Sequence, residues 1–143
     1  MGVDKAIEII HNGVPKPLKR HRSTRTGRMY DPSAKDKNQL WLQIAKYKPK
    51  KALKGEIMIR LLFVMPRPKS HYRTGKFKHM LKYKYEKVYY HTYTPDLDNL
   101  VKFICDTIQG KNRIILDDSQ ICRLQAEKVY GETPRTEVII QEI

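Results

Sequence analysis

PDLDNLVKFICDTIQG, Pro95 to Gly110, decides how the rest of the chain is read. Leu97, Leu100, Val101, Ile104, Cys105 and Ile108 recur at the spacing of one apolar helix stripe. Gly110 follows, a residue suited to ending a helix. The opposite face carries Asp98, Lys102 and Asp106 in successive turns, and Asp96 stands at the helix N-terminus. Working upstream, Ile57 to Met65, IMIRLLFVM, is rich in β-branched and aromatic residues and predicts a buried strand. Leu40, Trp41, Ile44 and Ala45 mark a first helix over about Ala34 to Lys48, stopped by Pro49. Ala6 to Ile10 predicts an opening strand before the Asn12-Gly13 turn signal. Downstream, Ile121 to Tyr130 and Thr136 to Ile143, separated by Gly131 and Pro134, predict a hairpin, and Ile114 to Leu116 a short strand. Two helix stripes and several strands bury both kinds of face most simply in an α+β fold. The expectation is a small mixed β-sheet of roughly four strands packed against two helices, with long basic loops, in one domain spanning residues 1–143.

Composition narrows the partner. The chain has 29 Lys and Arg against 15 Asp and Glu, a net charge of +14, which concentrates polyanions at its surface. No apolar run approaches the roughly 20 residues of a membrane span, and the N-terminus lacks the pattern of a secretory leader, so a cytoplasmic, intracellular protein with no membrane partner is expected. Cys105 and Cys122 have no metal-ligand spacing and sit among apolar residues, which predicts free, buried thiols. Two segments concentrate the positive charge. Pro15 to Arg28 carries Lys16, Lys19, Arg20, Arg22 and Arg25 with no acid, and the long segment Pro66 to His91 carries Lys69, Arg73, Lys76, Lys78 and Lys82 interleaved with tyrosines. Cations for phosphates alternating with rings on which bases can pack suit a nucleic-acid surface; a solvated arm is the other reading.

Against that background the acids stand out. Asp96 and Asp98 open the helix, and Asp117 and Asp118 follow the apolar Ile114 to Leu116. Carboxylates brought together repel unless a cation neutralises them, and hard oxygen ligands suit magnesium or manganese, which activates water and stabilises phosphoryl charge. Lys102, one turn beyond Asp98, is placed to stabilise charge on a phosphate. Equally, Asp96 can be a helix cap and Asp98–Lys102 an i,i+4 surface pair; spacing alone leaves both open.

PDLDNLVKFICDTIQG followed by LDDSQI resembles the RusA family of Holliday junction resolvases, whose pattern is DxDNxxKxxxDxL, a turn, then DDxQ. KPLKRHRSTRTGRMYDP resembles the family's basic N-terminal segment, and MPRPKSHYRTGK the loop of its phage-type members, which makes a phage or prophage origin an expectation. The resemblance implies that Asp96, Asp98 and Asp118 are metal-binding catalytic acids, that Lys102 is also required, and that Asp117 adjoins the metal. It implies a homodimeric endonuclease that cuts four-way DNA junctions with Mg²⁺, for which Mn²⁺ substitutes. Cleavage of other branched DNA or RNA, or binding of nucleic acid without catalysis, are the competing functions, and cleavage of a labelled junction with and without magnesium separates them.

Overall fold

A computed structural model of the chain describes residues 6–19 and 22–143. Its elements in chain order are β1 (Ile7–Asn12), β2 (Arg22–Ser23), β3 (Met29–Tyr30), α1 (Ala34–Ile44), β4 (Ile57–Met65), α2 (Leu97–Ile108), β5 (Ile121–Tyr130) and β6 (Arg135–Glu142). Strands β1, β6, β4 and β5, in that order, form one four-stranded sheet, and β2 and β3 pair in a separate ribbon. β6 is antiparallel to both neighbours, whereas β4 and β5 run parallel. The α+β expectation therefore holds, with the sheet mixed.

β4 is central and almost wholly apolar because both of its edges and one of its faces are covered. Ile57, Ile59, Leu61 and Phe63 point to one side, with Val138 and Ile140 of β6 and Ile9 of β1 in register beside them. Leu40 and Ile44 of α1 and Leu100, Phe103, Ile104 and Ile108 of α2 close over that same side, so both helices lie on one face of the sheet. Leu100 and Ile108 are fully buried, and each such side chain contributes roughly 1.5–3 kcal/mol of transfer free energy. α2 stops where expected: Gly110 has φ 130°, and Arg113 Nη1 donates to the otherwise unpaired Thr107 carbonyl at 2.7 Å.

Three expectations are corrected. β5 and β6 are sequential but do not form a hairpin, because β6 inserts between β1 and β4 while β5 joins the far edge of β4. Local turn residues at 131–134 signal the reversal; which strand becomes the neighbour is decided by burial of β4 on both edges. Ile114 to Leu116 is not a strand: Ile114 and Ile115 are buried, but Ile115 only bridges singly to Leu53 and Gln109. Cys105 is buried, but Cys122 is exposed, since the start of β5 is a sheet edge.

The long segment between β4 and α2 is built rather than a solvated arm. It contains single-turn 3-10 helices at Lys69–His71, Gly75–Phe77 and Tyr83–Tyr85 and a bridge between Tyr72 and Leu81. His71, only 6% exposed, stacks on Tyr85 with centroids 4.0 Å apart and meets the edge of Tyr130, the last residue of β5, at 5.1 Å. Arg67 lies over the Tyr130 ring and donates to the Val88 carbonyl at 2.6 Å.

Candidate active site

α2 and the edge strand β5 border an open groove of about 640 Å³. Its apolar wall is the outward part of the α2 stripe, Leu97, Val101 and Cys105, facing Ile121, Leu124 and Ala126 of β5. Asp98 and Lys102 reach it from α2, and Asp118 from the turn before β5. Three of the residues singled out in the sequence are thus brought to one cavity from two elements, all with exposed side chains.

The neighbouring acids differ in what they do. Asp96 is at the N-cap position of α2 and exposed, but its side chain makes no capping hydrogen bond and is not part of the groove lining. Lys102 is in none of the ion pairs of the described residues, so Asp98–Lys102 is not a closed surface pair. Asp106, on the same helix, turns to α1 instead: Lys37 Nζ lies 2.5 Å from Asp31 and 3.7 Å from Asp106. Asp117 caps the 3-10 turn Asp118–Gln120, accepting from Ser119 N at 3.0 Å. Hydrogen bonds from the Ser119 hydroxyl and backbone hold the Asp117 carboxyl below its ordinary value. In the groove wall, burial and then the charges of Asp118 and Asp106 push the Cys105 thiol up to about 11, which keeps it protonated at neutral pH.

Two glutamines fix Asp118, and neither was singled out from the sequence. Gln109, just after α2, accepts from Asp118 N at 2.7 Å. Gln120 accepts from Leu116 N and Asp117 N, both at 2.9 Å, and donates to the carbonyls of Leu53 at 2.9 Å and Gly55 at 3.1 Å. The signal for Gln120 was present: Asp117 and Gln120 have the three-residue spacing of a capping box. Lys128 of β5 is a third such residue, its Nζ 2.5 Å from the Tyr93 carbonyl and 2.6 Å from that of Pro95, holding the chain just before Asp96.

The first basic segment approaches the start of α2. Leu18 N donates to Asn99 O at 2.9 Å and Lys19 N to the Ser33 hydroxyl at 2.8 Å, which runs Lys16 to Lys19 along the first turn of α2. Lys16 pairs with Asp36 at 3.2 Å. Arg25 is exposed in the turn between β2 and β3; Arg20 lies outside the described residues, and Arg22 is described only through its backbone in β2. In the long segment, Lys69, Lys76 and Lys78 are exposed and Lys82 half-buried, while Arg73 Nε is tied to Leu81 O at 3.1 Å. Among the described residues no helix is long and apolar enough to cross a membrane.

Residues 12–141 match the model of the family described as endodeoxyribonuclease RusA. The chain is 32% identical over 126 residues to the uncharacterized protein YqaN of Bacillus subtilis (strain 168), covering 85% of this chain and 84% of that protein. It is also 32% identical over 114 residues to the crossover junction endodeoxyribonuclease rusA of Lactococcus phage r1t, covering 80% of this chain and 77% of the phage protein. The chain belongs to the RusA endodeoxyribonuclease family.

Proposed function

We propose that the chain resolves four-way DNA junctions by magnesium-assisted phosphodiester hydrolysis, acting as a homodimer. The carrying observation is the convergence of Asp98, Lys102 and Asp118 on one open groove. Likeness to a phage protein named for crossover junctions supports the substrate class.

Among the described residues no three His, Cys, Asp or Glu side chains stand close enough together to enclose a metal ion. The donors that share the groove, the carboxylates of Asp98 and Asp118, are hard oxygens of the kind magnesium takes through one or two carboxylates together with waters and substrate phosphate. Asp98 and Asp118, the two acids of the groove, would hold the ion, while Asp96 at the N-cap and Asp117 in its own cap lie outside the groove lining and would add negative charge around it. When bound, magnesium supplies Lewis-acid polarisation of the phosphate and a water of lowered pKa. Lys102 places an ammonium beside the phosphate and offsets the charge that builds there. Gln109 and Gln120 keep Asp118 at the groove, and Lys128 keeps the approach to Asp96. Lys16, Lys19, Arg20, Arg22 and Arg25, with Lys69, Arg73, Lys76, Lys78 and Lys82, bind phosphates of the junction arms.

Four substrates in one assay test this: a labelled four-way junction, a flap, a linear duplex and an RNA hairpin, each with magnesium, manganese or EDTA. Junction cleavage with either metal and none in EDTA is the expected result. Preference for flap or RNA moves the substrate assignment, and metal-independent cleavage removes the metal.

A further inference from the structure

A second cavity, of about 310 Å³, opens on the other side of the Asp117–Asp118 turn. Lys48, Lys50, Lys51, Lys54, Lys111 and Arg113 line it, together with Leu116, and no acidic residue does. None of these six cations is in an ion pair of the described residues. Glu142 is nearby, but its carboxylate is turned to the loop backbone, accepting from Lys54 N at 3.1 Å and Gly55 N at 3.3 Å. Six like charges around one cavity raise the local concentration of anions and favour a bound polyanion there.

The site is also held in place. Arg113 stacks its guanidinium on Trp41 at 4.6 Å while bonding the end of α2. The 48–54 loop is sewn to the acidic turn by Leu53 N to Ile114 O at 2.9 Å and by the Gln120 bonds to Leu53 and Gly55. Leu116 lines this cavity and Asp118 lines the groove. Only Asp117 lies between them, so two Cα steps, at most about 7 Å, separate the two linings there, a distance on the scale of neighbouring phosphates along one strand.

We infer that this cavity binds the phosphodiester backbone of the same DNA strand whose scissile phosphate enters the groove, a few nucleotides from the cut. The inference rests on the nuclease reading for its register, but the binding itself does not depend on catalysis. Binding to a four-way junction is measured against KCl concentration in EDTA for the wild type, Lys50→Gln/Lys51→Gln, and Arg60→Gln/Arg123→Gln. The last pair removes the same charge from the sheet face away from the helices, where Arg60 and Arg123 accompany Met58. The lysine pair should lower the slope of log affinity against log salt by about 1.8, and the arginine pair should leave it unchanged. Lys50→Arg/Lys51→Arg should restore the wild-type slope. Ethylation of phosphates flanking the cut should weaken binding by the wild type and not by the glutamine pair. An unaltered slope in the lysine pair, or equal losses in both pairs, overturns the inference. Failure of the wild type to cleave with magnesium overturns the nuclease reading alone, because the slopes are read without metal.

Discussion

Gln120 makes four hydrogen bonds with one side chain, two received from the acidic turn and two given to the loop before β4. Each is worth about 0.5–1.5 kcal/mol net, and carbonyls or amides left unpaired cost more. Gln120→Leu should therefore lower stability by about 2–4 kcal/mol in urea unfolding and reduce turnover at least tenfold at saturating junction, since Asp118 loses its frame. Wild-type turnover in that variant would mean that Gln109 alone positions Asp118. The carboxylates themselves should behave oppositely: Asp98→Asn and Asp118→Asn should abolish cleavage with unchanged melting and with junction binding intact or tighter, as each removes charge without a phosphate contact. Lys102→Ala should cut turnover strongly with little change in KM; an unaltered rate would leave Lys102 a bystander at the groove rim.

Between β4 and α2, docking of the long segment depends on a neutral His71. Burial, then the charges of Arg67, Lys82 and Lys84, hold its pKa below the ordinary 6.5, and His91 is lowered mainly by burial and then by Lys128. The unfolded chain takes up these protons near pH 6.5 while the folded chain does not, so the stability is present above about 6.5 and is lost as pH falls. The melting temperature should drop between about pH 7 and pH 5, and less so in His71→Phe, which keeps the stack on Tyr85 but has no proton to take. Gly131, where β5 turns away, is a different constraint: an added Cβ would overlap Cγ1 of buried Val64, so Gly131→Ala should cost about 1–3 kcal/mol by the same unfolding measurement. The helices and β4 were legible in the sequence because period and composition are properties of the segment itself. The neighbour of β6 and the exposure of Cys122 were not, since both depend on which strand edges are left to be covered. Among the site residues, Asp98, Lys102 and Asp118 were marked by charge against a basic background. Lys128 and the lysines of residues 48–54 carry no mark of that kind: they look like any other cation until the fold places them.

For the whole molecule, the proposed function asks for two copies related by a two-fold axis, since a junction has two strands to cut and Asp98, Lys102 and Asp118 form one groove among the described residues. Light scattering on the free protein should give about twice 16.9 kDa; a monomer that nicks junctions singly would remove the dimer and keep the nuclease. The order of the sheet has a further result for how the protein comes into being. β6 is the last strand along the chain, yet it lies between β1 and β4 and supplies hydrogen bonds to both. Until it arrives, the opening strand has no partner in the sheet and β4 is bare on one side, so the helices have no complete platform to close over. During synthesis on a ribosome the aspartates of the groove would both have been made well before they could be held in place. Removal of the β6 segment should therefore leave a chain that neither melts cooperatively nor cleaves a junction, which calorimetry and the cleavage assay check together.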